Sequence, residues 1–150
     1  METLVEENIS IREIRLEDTQ AIQDIRIAIS EEDARVDFQK LMEQHVSGGN
    51  GKTSLVAEVN GKVAGYMIST TLYAGFGIGK SAWIMSFGVH PDYMGQGLGL
   101  KLANRICDIY KEKGVGSIYS SVMWDSIDVL SFFKKLGFAR SEFINLKKDL

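Results

Sequence analysis

A chain of 150 residues with 45% hydrophobic content is long enough for one well-buried core and too short for two comfortable ones, so residues 1–150 are read as a single domain. A net charge of -3 without any long Lys/Arg run argues against nucleic acid as the main partner, and no apolar run approaches a membrane span. The start, Met1-Glu2-Thr3-Leu4-Val5-Glu6-Glu7-Asn8, has neither the basic nor the apolar segment of a signal peptide, and the single cysteine, Cys107, precludes an internal disulfide, so a cytoplasmic protein is expected.

Ile9, Ile11, Ile14 and Leu16 sit among polar residues in a short strand-like stretch that ends at Glu17-Asp18. Asp18 is the expected N-cap of a helix with Ile22, Ile25 and Ile29 on one face. Ser30-Glu31-Glu32-Asp33 resembles a capping box, and Ala34, Phe38, Leu41 and His45 follow it at helical spacing. His45 is read as a packed or surface histidine, because no second His, Cys or paired carboxylate stands at metal-binding spacing around it; no metal is expected.

Ser47-Gly48-Gly49-Asn50-Gly51 closes the helices, and residues 55–59 and 63–68 flank Asn60-Gly61, the strongest hairpin signal in the chain. The second of these strands extends through Thr70 and Leu72 before Gly75, Gly77 and Gly79 interrupt it. Residues 83–89 form the next strand, in which Gly88 marks either a bulge or a close backbone approach. Pro91 then sets a turn, three glycines follow at alternate positions (Gly95, Gly97, Gly99), and Leu98, Leu102, Ile106 and Ile109 mark an amphipathic helix that stops at Lys113-Gly114. Such a turn lets the backbone lie against a ligand and aims unpaired N–H groups of the helix at it, which suits a pyrophosphate. Cys107 falls inside that helix and reads as a structural thiol. Ile118–Met123 reads as a strand, Val129, Phe132, Phe133 and Leu136 as a short helix closed by Gly137, and Phe143–Leu146 as a last strand.

The run Val89-His90-Pro91-Asp92-Tyr93-Met94-Gly95-Gln96-Gly97-Leu98-Gly99-Leu100 resembles the acyl-CoA loop of the GNAT superfamily, the acyl-CoA-dependent N-acetyltransferases, in which V-x-P-x-x-(Arg/Gln)-G-x-G-x-G precedes a helix. Met94 stands where the family usually carries Arg or Gln, which removes a side-chain donor and none of the backbone donors. Phe132-Phe133-Lys134-Lys135-Leu136-Gly137-Phe138 is similar to the family segment L-Y-x-x-L-G-F, with Phe133 at the place of a tyrosine that protonates the departing thiolate. Ser126 stands where an Asn often contacts the cofactor, and Phe132 and Phe138 read as core.

The resemblance implies an α/β (α+β) fold with a mixed, mainly antiparallel central sheet and helices on both faces. It implies acetyl-CoA as cosubstrate, held by Met94, Gly95, Gln96, Gly97, Leu98, Gly99 and Leu100 at the phosphates and by Phe87, Gly88 and Val89 along the pantetheine arm, with Ser126 and Phe133 nearby. It also implies a small-molecule or peptide amine as acceptor, and a homodimer.

No catalytic residue is assigned. The family often places a carboxylate base on the strand before the loop or on the one after the helix, yet residues 83–89 contain none and Ser121 occupies the second place. Asp125 and Glu58 are the acids that could face the site, each also explained as a strand-end surface charge. Glu31, Glu32 and Asp33 could attract a cationic acceptor but are equally accounted for by the helix dipole, and Trp83, Trp124 and Tyr73 could line an acceptor pocket or belong to core or interface. Two other functions stay open: a non-catalytic acyl-CoA sensor, and a P-loop nucleotide-binding protein suggested by Ala74–Ser81, which nearly spells a Walker A loop but leads into a strand-like segment.

Overall fold

A computed structural model describes residues 8–30, 38–48, 50–73 and 79–150. Five strands form one sheet in chain order: β1 (Ile9–Glu13), β2 (Leu55–Val59), β3 (Lys62–Tyr73), β4 (Lys80–Val89) and β5 (Ile118–Ser120). The first three pairings are antiparallel and β4–β5 is parallel, the parallel step being made by helix α3 (Leu98–Glu112). Helices α1 (Thr19–Ser30) and α2 (Phe38–Ser47) join β1 to β2, and α4 (Ile127–Lys135) follows β5.

Alternation along the strands sends side chains to two cores, one on each face. On one face Ile14, Ile22, Ile25, Met42, Val56, Tyr66 and Ile68 pack together under α1 and α2. On the other, Leu55, Met67, Ile84, Leu98, Leu102, Ile106 and Phe133 are among those that pack under α3 and α4. The expected mixed, mainly antiparallel sheet with helices on both faces is therefore present.

Local chemistry explains most boundaries. Asn60 and Gly61, at φ 52° and 81°, form the left-handed pair that a two-residue hairpin needs. Helices α3 and α4 both end in a Schellman motif: Val115 N–H donates to Tyr110 O and Gly114 N–H to Lys111 O, and likewise Phe138 to Phe133 O and Gly137 to Lys134 O.

Several expectations are corrected. Phe143–Leu146 is not a strand, and β5 ends at Ser120 rather than Met123, so the chain after α4 adds nothing to the sheet. The bulge in β4 falls at Met85, between the pairs Ile68–Ser86 and Ser69–Ile84, whereas Gly88 marks a close approach: a Cβ there would stand 2.7 Å from Ile29 Cδ1 of α1. In α2 the buried position is Met42 and Leu41 is half exposed, because the helix meets the sheet about one residue's rotation away from the expected stripe. Asp18 does not cap α1 forwards; a 3-10 turn (Leu16–Asp18) runs straight into α1 and the carboxylate reaches back to Arg15 N–H at 2.8 Å. Lys80 and Ser81 belong to β4 and pair with Tyr73 and Leu72, so the Walker A reading loses the helix that its Lys-Ser pair must open. Glu31, Glu32, Asp33, Ala34, Gly49 and residues 74–78 lie outside the described residues.

Candidate acyl-CoA site

Strand β4 is paired with β5 only through Ala82, Trp83 and Ile84. Beyond Ile84 the two strands part, and β4 runs on to Val89 with its β5-facing side open. Ser120 donates its hydroxyl to Ile84 O at 3.1 Å at the fork, satisfying the last carbonyl before the gap. The bulge at Met85 lies immediately beyond and adds local twist where the strands diverge.

The open strand leads into the turn that begins α3. Pro91–Tyr93 forms a 3-10 turn started by His90, whose Nδ1 accepts from Asp92 N–H at 3.1 Å. Met94 follows, exposed, and then Gly95 and Gly97 take φ of 84° and 74°, values that only glycine adopts without strain. Gly97 caps α3, and the first bond inside the helix runs from Lys101 N–H to Gly97 O at 3.0 Å. The N–H groups of Leu98, Gly99 and Leu100 thus have no partner within the helix and sit at its positive end. Apart from their chain neighbours, no atom of the described residues lies within 4 Å of where a Cβ at Gly95 or Gly97 would be, which leaves room for a ligand at the turn. Gln96 Oε1 is buried without a hydrogen-bond partner, an orphaned acceptor in the middle of the same turn.

The expected site residues converge in part. Phe87 stacks on Phe132 at 5.2 Å and meets Phe133 edge-on at 5.5 Å; Phe133 in turn contacts Phe138 at 4.9 Å. Gly99 lies against this cluster, since a Cβ there would be 3.0 Å from the Phe132 ring and 3.9 Å from Val89. Loop, strand end and α4 therefore meet around Phe87, Val89, Gly99 and Phe133. Leu98 is buried in the core and offers only its backbone N–H, Leu100 is half-buried, and Ser126 is the half-buried N-cap of α4 with its hydroxyl uncommitted to the cap.

Phe133 is 5% exposed and packed among aromatic rings, with no hydroxyl to offer. Glu58 is held by Arg12 Nε at 2.6 Å and takes no part in the gap. Asp125 and Ser121 are exposed, and Ser121 Oγ accepts from Asn145 Nδ2 at 3.0 Å. Trp124 and Tyr73 are more than four-fifths exposed and belong to no core.

Of a polar and aromatic group on the α1/α2 side of the gap, only Trp83 was named from the sequence; Tyr66, Ser86 and Tyr119 were not. Tyr66 OH lies 2.9 Å from Ser86 Oγ, and Trp83 stacks on Tyr119 at 5.0 Å. Burial pushes the Tyr66 phenol up, against smaller opposing effects of Ser86 and Arg26, so it is protonated at neutral pH. Asn60-Gly61 fixes β2 against β3, whereas this group rests on the β3–β4 register, which sets Tyr66 opposite Gly88 and Ile68 opposite Ser86.

Residues 10–138 match the family model for the acetyltransferase (GNAT) family. The chain belongs to the GNAT acetyltransferase family. Solved structures agree on the fold of this GNAT domain. It superposes on the aminoglycoside N-acetyltransferase AAC(6')-Iy in complex with CoA with a TM-score of 0.82 at 12% identity, covering 98% of each chain. The ribosomal-protein-alanine N-acetyltransferase from Brucella melitensis gives 0.75 at 15% identity, covering 95% of this chain and 99% of that one. Naa50 from Arabidopsis thaliana, in complex with a bisubstrate analogue, gives 0.71 at 21% identity, covering 93% and 91%. At these identities the likeness is one of fold, and the GNAT loop is judged on its own geometry.

Proposed function

We propose that this GNAT domain transfers an acetyl group from acetyl-CoA to a primary amine by direct attack in a ternary complex. The observation that carries the reading is the continuity of the unpaired side of β4 with the glycine turn of α3. Together they offer backbone donors and acceptors for an extended amide arm and then backbone donors for phosphates. When bound, acetyl-CoA supplies an acetyl group activated as a thioester.

The remaining chemistry belongs to the chain's own groups. Amides of Gly95, Gln96, Gly97, Leu98, Gly99 and Leu100 hold the phosphates, and Phe87, Gly88 and Val89 align the arm so that the carbonyl lies by the fork. A free N–H of β4 polarises that carbonyl, a role that needs no side chain. Ser86, Tyr66, Trp83 and Tyr119 border the approach of the amine. The proton leaves the amine to water, since residues 83–89 carry no carboxylate and Glu58 is committed to Arg12. A thiol with an ordinary pKa of roughly 8.5 leaves as thiolate without a protein acid, which accords with a phenylalanine at 133. Catalysis is then mainly positioning.

The acceptor class is a primary amine on a small molecule or peptide, such as the aminoglycosides and peptides named for the superposed enzymes. The open β5 edge and the exposed Phe143, Ile144 and Leu146 support a homodimer. The lone cysteine is compatible with a cytoplasmic location, and no helix of the described residues is long and apolar enough to cross a membrane.

Calorimetry with CoA and release of free thiol from acetyl-CoA across an amine panel test the reading. Binding together with amine-dependent thiol release is expected. Binding without release from any amine assigns the non-catalytic sensor instead, a reading favoured by the same Phe133, and absence of binding removes both.

A further inference from the structure

A second recess, with a volume of about 330 Å³, opens beside the C-terminal half of α3, between that helix and the β1 edge of the sheet. Its floor is apolar: Ile11 of β1, Leu55 of β2 and Ile109 of α3. Around that floor stand Lys52, Arg105 and Lys113, with Glu13 as the one carboxylate among the described lining residues. Arg105, Ile109 and Lys113 fall four residues apart, so Lys113, the C-cap of α3, continues the row that the first two form on the helix. Ile11 and Glu13 share a strand face, and Leu55 pairs with Glu13 in register, so floor and rim are set by regular secondary structure.

The charge of the rim is unusual for this chain, whose net charge is -3. Arg12, a fourth cation among the lining residues, is neutralised by Asp18 and Glu58. Lys52, Arg105 and Lys113 take part in no ion pair among the described residues, although they converge from two segments about fifty residues apart in sequence. Three uncommitted cations over an apolar concavity repel one another and focus a positive potential into it, a combination that an anion relieves. A bare phosphate is too small for the volume, which lies at the lower end of the range for small-molecule pockets, and it would leave the floor uncovered.

We propose that this recess binds a phosphorylated small molecule with a flat apolar body, of mononucleotide size. The phosphate meets Arg105 with Lys52 and Lys113, the guanidinium supplying paired donors and the ammonium groups point charges. The body lies on Ile11, Leu55 and Ile109, and Glu13 accepts from a hydroxyl or amino group of the ligand. The site does not rest on the acetyl-transfer reading: it borders residues 105–113, whose near end lies roughly 12 Å from the glycine turn along the helix axis.

The experiment titrates AMP into the full chain saturated with CoA, so that the turn of α3 is already filled, and compares inorganic phosphate and citrate as probes. AMP is expected to bind with a Kd below about 1 mM, and inorganic phosphate and citrate at least about tenfold more weakly. Arg105→Glu is expected to weaken AMP at least about tenfold while CoA affinity stays within about twofold. Lys52→Glu, in a separate exposed segment, is expected to do the same and serves where the α3 variant lowers the melting temperature. Loss of the AMP signal in the presence of CoA, equal binding of AMP and citrate, or AMP binding untouched by both reversals overturns the proposal. So does self-association abolished by the reversals, which would assign the recess to a second copy of the chain.

Discussion

Arg12 ties the first strand to the turn that opens α1 through Asp18, and to β2 through Glu58. Its guanidinium donates to both oxygens of Asp18, at 2.8 and 2.7 Å, and to Glu58 at 2.6 Å. Burial alone would raise the Asp18 carboxyl, but the hydrogen bonds from Arg12 and from Arg15 N–H outweigh it and hold the pKa below the usual range. A lowered folded pKa contributes stability that is complete above the unfolded value of roughly 3.9 and is lost as pH falls through the folded value. Asp18→Asn is therefore expected to cost about 2–3 kcal/mol in urea unfolding at pH 7, where it leaves the guanidinium short of its partner, and the cost should shrink at pH 3. Gly88 makes a steric prediction of the same scale. Its absent side chain leaves room for Ile29 Cδ1 and the Tyr66 ring, and Gly88→Ala is expected to lower stability by about 1–2 kcal/mol. Because the nearest atom is the tip of a half-exposed isoleucine, adding Ile29→Ala should recover part of that loss, measured as a double-mutant cycle. At this scale the sequence showed that Gly88 was special but not why, since the neighbour that makes it so comes from a helix sixty residues earlier.

Elements whose signals are local were legible and those that depend on a partner were not. Asn60-Gly61 and the glycines after α3 and α4 act through their own backbone angles, so the hairpin and both helix ends stand where the residues placed them. Phe143–Leu146 has the composition of a strand, but β5 ends at Ser120 and offers it no ladder. The face of α2 is decided by contact with Met42 and Val46 rather than by the first apolar stripe. The glycine turn before α3 was read from its glycine spacing, from Pro91 and from the resemblance to the GNAT loop, and its geometry yields two predictions. Gly97→Ala puts a Cβ on a left-handed residue at φ 74° and is expected to cost about 1–2 kcal/mol in stability while raising the KM for acetyl-CoA. Met94 is 59% exposed beside the turn, so Met94→Arg adds a cation where phosphates are proposed to bind. A gain of about threefold to tenfold in CoA affinity at low salt, fading at high salt, is the expected outcome by calorimetry.

The two cores on opposite faces of the sheet are joined at one end by a chain of polar side chains. His45 of α2 lies 2.6 Å from Ser54 Oγ, which receives Ser69 N–H at 3.0 Å, and Ser69 Oγ bonds Thr53 O and lies 2.8 Å from Tyr110 OH of α3. Ser54 and Ser69 are fully buried, so each bond satisfies a group that water does not reach. Burial of His45 pushes its pKa below the ordinary value, which couples the docking of α2 to pH. Because the folded pKa is lowered, the unfolded chain takes up a proton first as pH falls. The contribution is complete above the unfolded value of roughly 6.5 and is lost as pH drops through the folded value. Unfolding free energy should therefore decline as pH falls below about 6.5, above the window in which Asp18 acts. His45→Gln keeps a hydrogen-bonding amide near Ser54 and cannot titrate. Urea midpoints of the two proteins should accordingly converge as pH falls from 8 to 5, and a pH slope unchanged in the Gln variant would show that another group governs the whole molecule's acid sensitivity.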